Sequence, residues 1–91
     1  MAVTVKLPTQ LRDATGGQAE VSGEGATVGE VLESLYGQFE PLRDRLTDDG
    51  GDLRRFVNVY VGGEDIRFLD GLETPVPDGA EVNVLPAVAG G

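Results

Sequence analysis

Cysteine, histidine and tryptophan are absent from this 91-residue chain. Without them the chain itself cannot build a disulfide, a thiol nucleophile, a zinc finger or a Ser-His-Asp relay. Long apolar runs are also missing: nothing approaches the roughly 20 apolar residues of a membrane span. The opening MAVTVKLPT lacks the basic-then-apolar order of a signal peptide, so a cytoplasmic protein is expected. Basic residues are scarce, 7 Lys and Arg against 16 Asp and Glu, for a formal charge of −9. That balance argues against nucleic acid and against an anionic membrane as partners. The acidity then has two readings, solubility or steering toward a basic protein surface.

What is present suits one small domain with a single core. Val3, Val5 and Leu7 alternate with Thr4 and Lys6, which predicts a half-buried strand from Ala2 to Leu7, ended by Pro8. Turn residues from Asp13 to Gly17 separate it from a second strand around Ala19 and Val21, a hairpin with a long connection. Ser22-Gly23-Glu24-Gly25 reads as loop. Thr27-Val28-Gly29-Glu30 matches a capping box and starts a helix at Val28, whose apolar stripe of Val28, Val31, Leu32, Leu35 and Phe39 should cover a sheet. Gly37 is expected to end or loosen this helix, and Pro41 to open a short second one carrying Leu42 and Leu46.

Thr47 to Asp52 is rich in oxygen ligands but lacks the spacing of a calcium loop, so it reads as an acidic mobile loop with no metal. Arg54-Arg55, the chain's one adjacent basic pair, fits either a phosphate contact or a solvated strand start paired to that loop. Val57, Val59 and Val61 alternate with Phe56, Asn58 and Tyr60 in the strongest strand signal of the chain, with the valines as core. Phe56, Tyr60 and Phe68 form a candidate docking patch; the competing reading is that a loop or strand covers the aromatics. Gly62-Gly63 turns the chain into a short strand over Glu64 to Phe68. Pro75, Pro77 and Asp78-Gly79 then force a tight turn before a last strand, Glu81 to Leu85, with Val82 and Val84 on one face. This order suggests a mixed sheet around a helix, although periodicity alone leaves other α+β folds open.

The last seven residues, Leu85-Pro86-Ala87-Val88-Ala89-Gly90-Gly91, carry the candidate chemistry. Pro86 has no N–H and marks a natural end to strand pairing. Beyond it come only small side chains and two glycines, a shape that can enter a channel too narrow for ordinary residues. At about 3.3 Å per residue this segment reaches about 15 Å. The plain alternative is a frayed end. The run PDGAEVNVLPAVAGG, together with VTVKLPTQLRDATGGQ and RFVNVYVGGEDIRFLDGL, resembles the ubiquitin-like sulfur carrier proteins of the ThiS and MoaD group, most of all their actinobacterial CysO-type branch.

The resemblance implies an α+β, β-grasp fold of about five strands wrapped around one main helix, with the last strand beside the first. Residues 1–86 would form the domain and 87–91 a flexible reactive tail. It also implies that the chain is a protein co-substrate and not an enzyme. Gly91 would be adenylated by an activating enzyme that supplies ATP and Mg²⁺, with no cofactor bound by the chain itself. A sulfurtransferase, often rhodanese-like, would convert Gly91 to a thiocarboxylate. Sulfur would then pass to a biosynthetic enzyme: a cysteine synthase in the CysO-type branch, with a metallopeptidase releasing the product, or an enzyme of molybdopterin, thiamin or specialised metabolism. Gly90 would give access, and Ala87, Val88 and Ala89 would line the partner's channel. A ubiquitin-like modifier and a non-covalent binding module remain alternatives.

Overall fold

In the computed structural model, which describes residues 2–54 and 57–86, the opening alternation becomes strand β1 (Ala2–Lys6), with Val3 and Val5 buried between exposed neighbours. It pairs antiparallel with β2 (Glu20–Glu24), from Ala2↔Glu24 to Lys6↔Glu20. The long connection holds a 3₁₀ helix, Thr9–Thr15, closed by Gly16 in the left-handed region. The sequence pointed only to a turn there, because so short a helix carries no apolar stripe of its own.

Helix α1 (Val28–Gln38) begins where the capping box places it, with Thr27 Oγ1 accepting from the Glu30 N–H at 3.2 Å. The return bond goes one residue further back, from the Ala26 N–H to Glu30 Oε1 at 2.8 Å. Val28, Val31, Leu32 and Leu35 are buried as expected, joined by Tyr36, while Phe39 is partly buried and caps the helix. Gly37 does not end α1: the Phe39 N–H still reaches the Leu35 carbonyl at 2.7 Å, so the helical bonding runs past the glycine. Helix α2 (Glu40–Leu46) follows with Pro41 in its first turn and Leu42 and Leu46 fully buried.

Two expectations fail on contacts between elements. Ser22, Gly23 and Glu24, expected as loop, belong to β2. A Cβ on Gly23 would lie 2.9 Å from Val31 Cγ1 and 3.0 Å from the Val31 carbonyl oxygen. The glycine therefore records close approach of α1 to the strand and not a turn. The fourth strand is also shorter than expected. After β3 (Val57–Val61), Gly62 and Gly63, with φ of 61° and 86°, turn the chain into β4 (Glu64–Asp65). The Asp65 carboxylate then accepts from the Arg67 N–H at 2.8 Å and opens a 3₁₀ turn, Ile66–Phe68, that buries Ile66. A second such turn, Gly71–Glu73, leads toward β5 (Glu81–Pro86).

The five strands of the described residues lie in the order β2-β1-β5-β3-β4. β5 runs parallel to β1 and antiparallel to β3, which makes the sheet mixed and puts its last strand at its centre. Val3, Val5, Val59, Val82 and Val84 from the sheet meet Val31, Leu32 and Leu35 of α1 and Leu42 and Leu46 of α2 in one core. This is the expected β-grasp.

Candidate functional site at the end of the central strand

The candidate tail is reached through β5, and β5 is held on both sides. Thr4↔Glu81, Val5↔Val82 and Lys6↔Asn83 tie it to β1, while five pairs from Val61↔Val82 to Val57↔Pro86 tie it to β3. Beyond Asn83 the β1 pairing stops, so Val84, Leu85 and Pro86 are flanked by β3 alone. Val82 and Val84 point inward and are essentially fully buried. Pro86 is the last described residue, so Ala87, Val88, Ala89, Gly90 and Gly91 lie outside the described residues, as does Phe56.

The outward face of β5 carries Asn83, opposite Tyr60, and Leu85, opposite Asn58. It is polar toward β1, where Lys6 Nζ reaches Glu81 Oε2 at 3.2 Å. Leu85 is 47% exposed and Tyr60 is partly buried. Phe68 is 86% exposed but sits on the 3₁₀ turn after the edge strand β4. The described members of the expected aromatic patch thus belong to different elements, a strand inside the sheet and a turn beyond its edge. Leu85 is the apolar surface residue that the sequence reading left out of the patch. Its signal was phase: it is out of step with Val82 and Val84, and must face the other way.

Where β5 outruns β1, a groove of about 370 Å³ opens, lined by Gln10, Leu11, Arg45, Arg54, Val84 and Leu85 among others. Arg45 is held by Asp13 at 2.6 Å and by the Gln10 carbonyl at 3.2 Å. Arg54 Nε donates to the Asp44 carbonyl at 3.1 Å, which anchors it to α2 and not to the acidic loop. Arg55 lies outside the described residues. In the acidic loop, Asp48 Oδ1 accepts from the Gly50 and Asp52 N–H groups at 2.9 and 3.2 Å, so that carboxylate closes its own turn. Two guanidinium groups beside apolar walls can steady a chain end or an anion. A strand paired on both flanks as far as Asn83, and on one flank to Pro86, can aim that end.

A family model described as the ThiS family matches residues 5–91. The chain belongs to the ThiS family. This ThiS-family chain is 50% identical to the sulfur carrier protein CysO of Mycobacterium tuberculosis, over 100% of both chains. It is 33% identical to small archaeal modifier protein 1 of Haloferax volcanii, over 94% of this chain and 97% of that one. Among solved structures, CysO in the Amycolatopsis orientalis BexX/CysO complex matches with a TM-score of 0.89 and 47% identity, covering 98% of this chain and 99% of that one. Mycobacterium tuberculosis CysO matches with a TM-score of 0.88 and 49% identity over 94% and 99% of the two chains. These neighbours share the ubiquitin-like β-grasp fold seen here.

Proposed function

We propose that this ThiS-family chain is a sulfur carrier whose Gly91 carboxylate is the group that is loaded. The observation that carries the reading is its likeness to CysO over the whole of both chains; the central, doubly paired β5 supplies a fixed point from which a short tail can be presented. A carboxylate oxygen of Gly91 attacks the α-phosphorus of ATP at an activating enzyme, releasing pyrophosphate and forming an acyl-adenylate. A sulfurtransferase persulfide then attacks the acyl carbon and expels AMP. A thiol cleaves the resulting S–S bond, leaving a thiocarboxylate on Gly91 and a disulfide on the donor side. The terminal sulfur is nucleophilic, and the acceptor is a cysteine synthase by analogy with CysO. A carboxylate is a poor electrophile until it is activated, so ATP, Mg²⁺ and the catalytic groups come from partners.

Ala87, Val88, Ala89 and Gly90 line the partner's channel in this reading, and Leu85 with Tyr60 forms the docking surface beside it. A CysO relative crystallised with BexX supports binding to a partner protein. The test is the intact mass of the full chain after incubation with ATP, an activating enzyme and a persulfide donor. A gain equal to the difference between sulfur and oxygen, mapped to Gly91, supports the carrier reading. An unchanged mass with a competent enzyme sinks it. The likeness to small archaeal modifier proteins favours one second reading, joining of Gly91 to lysines of other proteins. An isopeptide adduct in the same incubation with lysine-bearing proteins would select it.

A further inference from the structure

A second groove, of about 450 Å³, lies between α1, the loop after α2 and the Gly71–Glu73 turn. None of its lining residues belongs to a strand, so it lies in the helical layer and shares no residue with the groove at the end of β5. Leu32, Tyr36, Leu53 and Leu72 make its apolar surface. Glu30, Glu33 and Glu73 stand around it. α1 and the turn touch at one end: a Cβ on Gly29 would lie 3.1 Å from the Leu72 carbonyl oxygen.

Two polar groups of this groove take no partner from the described chain and are open to an occupant. Tyr36 is only 5% exposed and lines the groove; its hydroxyl, hydrogen-bonded to no described residue, is not a buried unsatisfied atom and so reaches solvent, and the Arg43 guanidinium stands 5.1 Å from its ring centroid. Burial, and then the charge of Glu33, push that hydroxyl up to about 12 against a smaller opposing effect of Arg43, so it stays neutral and can donate. Glu73 is exposed, and its carboxylate has no ion-pair or hydrogen-bond partner among the described residues. Glu33 faces Arg43 at 3.4 Å in an exposed pair, and Glu30 uses Oε1 on the Ala26 N–H.

The chemistry of an occupant follows from this arrangement. A wholly apolar ligand would strip water from the rim carboxylates without pairing them, and an anionic one would be repelled. Lysine and arginine combine an alkyl stem with a terminal cation, which matches an apolar floor with a carboxylate rim. The chain's formal charge of −9 favours the approach of such a partner. We propose that this groove docks a lysine- or arginine-bearing segment of a partner protein, with the alkyl stem over Leu32, Leu53, Leu72 and Tyr36 and the cation at Glu73 and Glu30. Because the groove and the outward face of β5 lie in different layers, a partner held here leaves the end of β5 accessible. This surface does not depend on the sulfur-loading reading.

The test is a titration of the isotope-labelled full chain, at low ionic strength, with a blocked Leu-Lys-Arg-Leu peptide and with a matched Leu-Glu-Asp-Leu control. The expected result is amide shifts concentrated at Gly29, Glu33, Gly51, Leu53 and Glu73, with a dissociation constant on the order of 1 mM for the basic peptide and no shift with the acidic one. Glu73→Lys should weaken binding about fivefold or more. Tyr36→Phe, which removes only the hydroxyl, should weaken it about threefold. If Glu73→Lys does not fold, Glu73→Gln carries the same expectation at about half that factor. Shifts on the outward strand residues Tyr60, Asn83 and Leu85 instead, equal binding of both peptides, unchanged binding by the Glu73 variant, or no shift at all would each overturn the proposal. Concentration-dependent shifts at the groove without peptide would give the site to a second copy of the chain and overturn it too.

Discussion

The two grooves are similar in size, about 450 and 370 Å³, and differ in what surrounds and supports them. The one beside α1 is rimmed by Glu30, Glu33 and Glu73; the one at the end of β5 is flanked by Arg45 and Arg54 with Asp44. A chain with 7 basic residues against 16 acidic ones places two of the seven where the proposed reactive end emerges. Net charge therefore describes the approach of a partner from a distance, whereas the local field at each groove is set by two or three side chains. The supports differ as well. Leu32, under the acidic groove, is 1% exposed and belongs to the core, while Leu85, on the wall of the other, is 47% exposed.

That contrast is sharpest in truncation experiments. Leu32→Ala should cost about 2–5 kcal/mol in a denaturant melt, since it opens a cavity in the core. Leu85→Ala should cost less than about 1 kcal/mol, because its side chain is already half in water, while dissociation from an activating enzyme becomes faster. A large stability loss at Leu85 would erase the distinction between a groove built on core and one built on surface.

Glycine replacements probe the same difference at smaller scale. Gly37→Ala, in an exposed helical position with nothing within 4 Å of the added carbon, should raise stability by about 0.5–1 kcal/mol. Gly29→Ala should gain less or nothing, since Leu72 must give way at 3.1 Å. Equal gains at both positions would show that the Gly71–Glu73 turn yields freely and that the acidic groove has no fixed end.

Arg45→Ala should cost only about 0.2–1 kcal/mol, because its 2.6 Å pair with Asp13 is exposed on both sides. The smallest effect is spectroscopic. Alkaline titration should show one tyrosine ionising near about 12, lost in Tyr36→Phe. A hydroxyl raised above its unfolded value favours the protonated folded state. Its contribution to stability is thus complete below the ordinary tyrosine value of about 10 and is lost as pH rises toward 12. A Tyr36 that titrates with the ordinary value would mean that water reaches the floor of the acidic groove freely.

Much of the scaffold was legible locally. The Thr27 cap, the α1 stripe, the β1 and β3 alternations and the Gly62-Gly63 turn depend on residues within a few positions of one another, and the structure forms them, with Phe39 at the end of the stripe and Val61 at the end of β3 only partly buried. Expectation and structure differ where a distant element decides the outcome. Gly23 looks like a turn residue until Val31 is seen against it, and Ile66 looks like strand until the core draws it into a 3₁₀ turn. The expected patch joins Phe56 and Tyr60 with Phe68, but the structure puts Phe68 on a turn beyond β4 and not on the strand of Tyr60, while the exposed apolar residue of the central strand is Leu85.

By itself the sequence determined the family, the element order and the small-residue end, because these are written in contiguous residues: a capping box, alternations of period two, and a diglycine after Pro86. The resemblance already implied that the last strand lies beside the first; only the tertiary structure decided its register and its second neighbour β3, since its partners Val5 and Val59 are distant in the chain. It also decided that Arg45 and Arg54 stand at the end of that strand while Glu30 and Glu73 surround a groove on the helical layer. The physical reason is common to both: pairing, burial and the field at a point are set by neighbours in space, and residues far apart in the chain meet there only once the core has closed.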